Sequence, residues 1–248
     1  MKTLFKFIAA IFVISLLVGS CGSDDQDTAE EKPVITEEEQ VEEKPAETEA
    51  EQVEETTEEI AVEEARPAYD TVIFGNYAGE ALEWRVLDKN DSATLLITQN
   101  IIDYKEFNES TQADATDWEN STLRNWLNED LYYSAFSDEE RNAIQTATVQ
   151  DFKEDHQAGE QTQDHIFILS VDQAFSYFES DEDRIAHATE YAKQQKKYPQ
   201  DSYWLIDSYS SDLYKYLVSP KGILDNKPRV NESEGIRPAM WVSNNVLN

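Results

Sequence analysis

The sequence predicts an α+β fold, a single domain of antiparallel β-meanders and short helices carried behind a signal segment and an acidic linker. Three observations predict it. Runs of β-branched and aromatic residues stand at both ends of the C-terminal 180 or so residues, helix caps cluster between them, and strands do not alternate with helices as in a doubly wound parallel sheet.

The first 20 residues carry Lys2 and Lys6, an apolar run from Phe7 to Val18, and the small residues Gly19 and Ser20. This is the pattern of a signal peptide. The run is short of the roughly 20 apolar residues that a spanning helix needs. Val18-Gly-Ser-Cys21 resembles the lipobox of bacterial lipoproteins, which implies a lipidated, palmitate-bearing Cys21 and an extracytoplasmic protein anchored in a cell membrane or an outer membrane. Cys21 is the sole cysteine, so a disulfide or a cysteine-based metal site within the domain is excluded.

Residues 21–66 read as a linker. Between Asp24 and Arg66 lie 19 acidic and 3 basic residues with almost no aromatics, so half of the chain's net charge of −32 sits here. Such a segment buries too little apolar surface to offset its ordering entropy, and its charges extend it. The stretch is expected to be disordered, a stalk holding the domain away from an anionic surface. Residues 67–248 keep a net charge of −18 and all five tryptophans. An acidic domain whose only basic run is Lys193, Lys196 and Lys197 does not suit nucleic acid, whose phosphates require clustered Lys and Arg.

Within the domain, Thr71–Tyr77, Leu82–Leu87 and Thr94–Thr98 read as a three-stranded meander, and Leu82, Trp84 and Val86 alternate with Glu83 and Arg85 as in a half-buried strand. Arg85 is expected to pair with a carboxylate. Ile101–Asn108 leads through a polar loop to a helix capped by Asn120 or Ser121, with Leu123, Trp126 and Leu127 on one face and a stop at Asn128. Ser137 with Glu140 forms a capping box for a second helix to about Ile144. Ala147–Phe152 reads as a short strand, and 155–164 as a polar loop. His165–Leu169 reads as a buried strand, followed by a capping box at Ser170 and Gln173 that opens a helix over Val171–Phe178. Spacing of Ile185, Ala188, Tyr191 and Ala192 predicts one helix over Asp183–Gln195. Ser202–Ile206, Leu213–Val218 and Gly235–Val242 complete the strands, with Pro238 marking an edge or a bulge.

The set Phe74-Gly-Asn-Tyr77, Glu83-Trp-Arg-Val-Leu-Asp88, Phe107-Asn108, Trp118 to Asn128, Ala135-Phe-Ser137, Phe167-Ile-Leu-Ser170, Thr189-Glu-Tyr-Ala192, Tyr203-Trp-Leu205 and Gly235-Ile-Arg-Pro-Ala-Met-Trp241 resembles the bacterial DUF6273 domain, a domain of unknown function. The likeness covers nearly all of Asp70 to Val242. It departs at Trp204-Leu-Ile-Asp207, where the family pattern reads Trp-Leu-Arg-Ser. The ending is also similar to bacterial C-type-lectin-like and formylglycine-enzyme-like domains. The family supplies no catalytic residues to carry over.

The residues themselves offer no catalytic template. His156, His165 and His187 lack metal-ligand spacing, there is no Gly-x-Ser-x-Gly elbow, and with seven glycines no phosphate loop is formed. No cofactor signature is present. Asp181-Glu-Asp183 and Glu232-Ser-Glu234 read as solvated loops ahead of loose calcium ligands. What remains is aromatic chemistry: Tyr104, Phe107, Asn108 and Trp118, with Asp207 and Tyr209 from the C-terminal strands, are the candidate floor of a glycan or peptide site. Core packing is the competing reading, favoured for Trp84, Trp126 and Trp241 and evenly balanced for Trp118 and Tyr209. Arg124 and Arg237 are expected in ion pairs. The function expected is a membrane-anchored lipoprotein with a non-catalytic ligand-binding domain; an envelope enzyme acting on glycan or peptide, or a structural lipoprotein, is the alternative.

Overall fold

The strand-forming runs close into two five-stranded sheets that share one apolar interior. The computed structural model describes residues 69–111, 117–153, 157–209 and 211–247, with the side chains of Asn226 and Lys227 left aside. The expected signal peptide, Cys21 and linker lie outside the described residues. β1 (Thr71–Tyr77), β2 (Glu80–Lys89) and β3 (Ala93–Thr98) form the expected meander. With β4 Asp103–Glu106, β5 Ile144–Gln145, β8 Tyr203–Ser208, β9 Tyr214–Val218, β10 Leu224–Arg229, β11 Ser233–Ile236 and β12 Ala239–Ser243, the first sheet runs β1-β2-β3-β12-β5, and the second β10-β9-β8-β11-β4. In β2, Leu82 and Trp84 face the core as their alternation requires, and the Trp84 indole donates to Phe74 O at 2.7 Å.

The second sheet holds the main surprises. β4 (Asp103–Glu106) forms within the Ile101–Asn108 segment ahead of the polar loop, and β10 (Leu224–Arg229) has no counterpart among the expected strands. β8 (Tyr203–Ser208) and β9 (Tyr214–Val218) form its centre. The run Gly235–Val242 is not one strand: β11 (Ser233–Ile236) belongs to the second sheet, and β12 (Ala239–Ser243) to the first. Pro238 therefore occupies the crossover and not a sheet edge, and its missing N–H breaks no ladder, while its carbonyl accepts from Thr98 N at 2.9 Å. Gly235 is required by close approach, because a Cβ there would lie 2.3 Å from Ser202 O in the parallel β8–β11 contact.

Helices fill the connection between the sheets. Ser121 caps α1 (Thr122–Trp126), but the chain does not stop at Asn128: a π turn, Leu127–Leu131, carries it on into α2 (Tyr132–Ala135). Asn128 is the cause. Its Nδ2 donates to the carbonyl of Arg124, four residues back, and to Ile166 O, while its Oδ1 accepts from His165 N and Ile166 N. A side chain that would end a helix by competing for its backbone instead docks a neighbouring segment. Ser137 and Glu140 complete both halves of the capping box of α3 (Asp138–Ala143), which leads into β5 (Ile144–Gln145).

β6 (Ala147–Val149) pairs with β7 (Thr162–Asp164), so part of the expected polar loop is strand. His165–Leu169 is largely buried but makes only one bridge, Phe167 to Ala239. The Ser170 capping box opens α4 (Val171–Tyr177) as expected. The helix expected over Asp183–Gln195 divides into α5 (Asp181–Arg184) and α6 (Glu190–Gln195), because Ser180 and Thr189 each cap a separate start and Ala188 between them bridges Ile101 in extended form. The architecture is thus mostly β with short helices, and the described residues fall in one compact unit.

Buried arginines tie the layers. Arg85 is 2 % exposed; it donates to Gln99 Oε1 and to the carbonyl of Asp183, not to a carboxylate, and stacks 4.0 Å over the Tyr69 ring. Burial, and then the like charge of Arg237, push its pKa down to about 10. Arg237 likewise makes no carboxylate pair: it donates to Thr98 O, Arg184 O and Tyr203 Oη, beneath the Phe178 and Tyr203 rings. Arg124 does form the expected pair, with Asp164 at 2.7 Å.

Candidate functional site

Five of the six candidate floor residues are turned into the interior. Phe107 and Trp118 are 0 % exposed and pack on one another and, through Phe107, on Trp204. The Trp118 indole donates to Asp164 Oδ2 at 2.8 Å, and Asp164 also accepts from Arg124 and Thr162, so this carboxylate, unmarked in the sequence, ties α1 to β7. Asn108 accepts from Thr122 N at the start of α1. Tyr104 packs under Lys196, and its hydroxyl donates to Gln200 O; burial, then Asp201 and Glu234, raise its pKa to about 12.

Asp207 bridges two segments, accepting from Phe152 N at 2.9 Å and Val171 N at 2.7 Å. Burial raises its pKa against those bonds. Only Tyr209 is exposed, edge-on to Tyr216. These residues are core and braces, not a continuous surface platform. Phe107 and Trp118 meet, whereas Tyr209 packs on Tyr216, and a buried charge cluster lies against the Phe107 ring.

That cluster centres on Lys215, 0 % exposed, whose ammonium donates to Ser208 Oγ at 3.0 Å and lies 3.6 Å from Asp151 Oδ2 and 4.5 Å over the Phe107 ring. Burial lowers its pKa, opposed by Asp151, Asp212, Asp207 and Asp117. The Lys215 side chain has no exposed surface through which to meet a ligand, so the arrangement is a structural counter-ion.

An open groove of about 610 Å³ lies elsewhere, lined by Lys105, Glu106, Glu109, Thr122, Leu123, Asn125, Trp126 and Asp130. β4 supplies one wall and α1 the other. The amphipathic spacing that buries Leu123 and Leu127 leaves Trp126 at the rim, half-buried. Trp126, expected in the core, packs against it only partly buried and with its remaining surface forms the aromatic side of this groove. Lys105 Nζ sits 4.5 Å over the indole and 3.4 Å from Asp103. Asp103 is held by the Tyr77 hydroxyl and by Tyr104 N, each at 2.7 Å. The Tyr77 ring meets Trp126 edge-on at 6.0 Å and Tyr191 at 5.4 Å. Burial, then the bond to Asp103, push its pKa well above the ordinary phenol value, so Tyr77 stays a protonated donor. Beyond it lies a smaller cavity of about 130 Å³ between Tyr77, Glu80, Glu83, Asn100, Thr189 and Tyr191.

The acidic triplets are engaged within the fold. Asp183 is buried and accepts from Glu179 N; Glu234 pairs with Lys196, and Glu232 accepts from Arg229 N. Among the described residues no group of three or more His, Cys, Asp or Glu is arranged to hold a metal ion, and no helix is long and apolar enough to cross a membrane.

Fold and groove together define a small, mostly β domain with short capped helices and one open polar cleft walled by a tryptophan. The chain belongs to the DUF6273 family, described as a domain of unknown function, whose pattern matches residues 91–244. No curated protein matches it. No solved structure matches it either.

Proposed function

We propose that this chain is a lipid-anchored, extracytoplasmic lipoprotein whose domain is a non-catalytic binding module for a glycan or peptide, held out on its acidic linker. The observation that carries the binding reading is the groove beside Trp126, where a half-buried indole, two neutral hydrogen-bonding side chains (Thr122 and Asn125) and three carboxylates border one open cleft. An aromatic wall with a few polar groups is how such sites gain contact area and orientation. The signal segment, Val18-Gly-Ser-Cys21 and the linker support the anchor. The strand-turn-strand ending into Arg237-Pro-Ala-Met-Trp241 supports a distant kinship with C-type-lectin-like and formylglycine-enzyme-like domains.

A glycan and cell-wall-fragment array probed with residues 67–248, with and without calcium, tests the module. Binding that is lost in Trp126→Ala is the expected result; turnover of a fragment without stable binding would replace it with an envelope enzyme. Radiolabelled palmitate tests the anchor: the label is expected on the wild type and absent from Cys21→Ser, and a label unchanged by the substitution refutes it.

A further inference from the structure

The groove carries more charge information than the binding reading uses. Against Lys105 it sets Glu106, Glu109 and Asp130. Lys105 is already neutralised by Asp103 at 3.4 Å, behind the groove wall. Among the described residues, none of the three groove carboxylates lies within ion-pair distance of a Lys or Arg. The Lys105 ammonium, 4.5 Å over the Trp126 ring and about one-third exposed at its side chain, shows that the indole face accepts a cation in this setting. The domain around it has a net charge of −18, so its long-range field draws cations and repels anions.

We infer that the groove takes the primary ammonium group of a lysine-bearing peptide, an inference that rests on the binding-module reading and names its ligand class. The ammonium is held among Glu106, Glu109 and Asp130, the aliphatic stem lies along the indole, and Thr122 and Asn125 meet the peptide amides. Lys105 acts as a resident competitor for the same aromatic seat. A neutral sugar stacks on tryptophan as well, and its hydroxyls can donate to the carboxylates, but it gains nothing from their net charge or from the field of the domain.

The test is calorimetric titration of the purified full chain with tri-lysine, fully acetylated tri-lysine, a deacetylated amino-sugar trimer and a neutral trisaccharide, each at low and at physiological salt. Tri-lysine is expected to bind, to weaken as salt rises, and to lose at least about ten-fold in affinity on acetylation. Glu109→Gln, at an exposed position, is expected to weaken it about two- to five-fold, and Lys105→Ala to tighten it by a similar factor. A neutral trisaccharide bound as tightly as tri-lysine overturns the ammonium inference while leaving the module intact, and preference for the amino-sugar trimer overturns the peptide as its source. Tri-lysine binding indifferent to both substitutions moves the site away from this groove and overturns the inference. No binding by any of the four ligands, together with none on the wider array, overturns the module as well.

Discussion

Replacing Lys215 with Met keeps most of the stem and removes the charge from the most deeply buried ion pair among the described residues. Lys215 and Asp151 are 0 % and 1 % exposed, with nitrogen and oxygen 3.6 Å apart. At an effective dielectric of about 20, that separation corresponds to roughly 4 to 5 kcal/mol of attraction. Removing one partner of such a pair commonly costs about 3 to 5 kcal/mol, because the other charge is left buried alone. Against a total stability of about 5 to 15 kcal/mol this is a large fraction, so the variant is expected to unfold at much lower urea, followed by tryptophan fluorescence. Asp151→Leu in the same background removes the stranded carboxylate and is expected to recover most of the loss, the signature of a coupled pair in a double-mutant cycle. Because burial depresses the Lys215 pKa, the unfolded chain holds the lysine proton more readily than the folded one, so the penalty for burying the charge, which the pair with Asp151 only partly offsets, is relieved as pH rises from the folded value to the unfolded value near 10.5. The wild type should therefore gain stability with rising alkaline pH relative to Lys215→Met. A loss below about 1 kcal/mol, or strict additivity with Asp151→Leu, refutes the counter-ion argument.

The two tryptophans of the helix region should separate cleanly in the same unfolding assay: Trp118→Ala is expected to cost about 3 to 5 kcal/mol as a fully buried truncation, and Trp126→Ala only about 1 to 2, since it loses a rim contact with Tyr77 and Lys105. Equal losses would return Trp126 to the core. Gly75→Ala is expected to cost about 2 to 4 kcal/mol, because Gly75 has φ +77° and a Cβ would stand 2.6 Å from the Phe136 ring. Glu140→Ala removes a carboxylate that accepts from Ser137 N and from Gly75 N in β1, costing about 1 kcal/mol. Burial opposes but does not cancel those bonds, and the Glu140 pKa lies below 4.5; the difference between wild type and variant should be complete above that value and fade as pH falls through the folded value.

Local signals were legible wherever one or two residues dictate a conformation. Ser121, Ser137 and Ser170 cap the helices they were expected to cap, and the first meander follows from β-branched alternation separated by turn residues. Signals that depend on a distant partner were not. Asn128 has the chemistry of a stop, and only its bonds to His165 and Ile166 make it a brace within a continuing helix. Gly235–Val242 has the composition of one strand; which sheet each half joins is decided by Tyr203 and Tyr104 on one side and Leu95 and Leu96 on the other. Arg237 lacks its expected carboxylate for a similar reason, since two carbonyls and a tyrosine hydroxyl from three separate stretches cannot be read from local spacing.

Most of the candidate floor residues lie in the interior because aromatic density along the chain does not say which face a ring takes. Phe107, Asn108 and Trp118 are close in sequence to the groove, yet the π turn and the Asn108 brace at Thr122 rotate the apolar part of this region inward and leave Trp126 at the rim. Glu106 and Glu109 reach the groove from the end of β4 and the residues after it, and Asp130 comes from the π turn. In so acidic a sequence none of these carboxylates stands out individually. Their grouping carries information only through what lies between them, an indole that already holds an ammonium. A cleft assembled for an anion would not be expected to set three carboxylates beside that ring in a domain whose whole field repels anions, and a neutral sugar, whose hydroxyls can donate to carboxylates, draws nothing from that field.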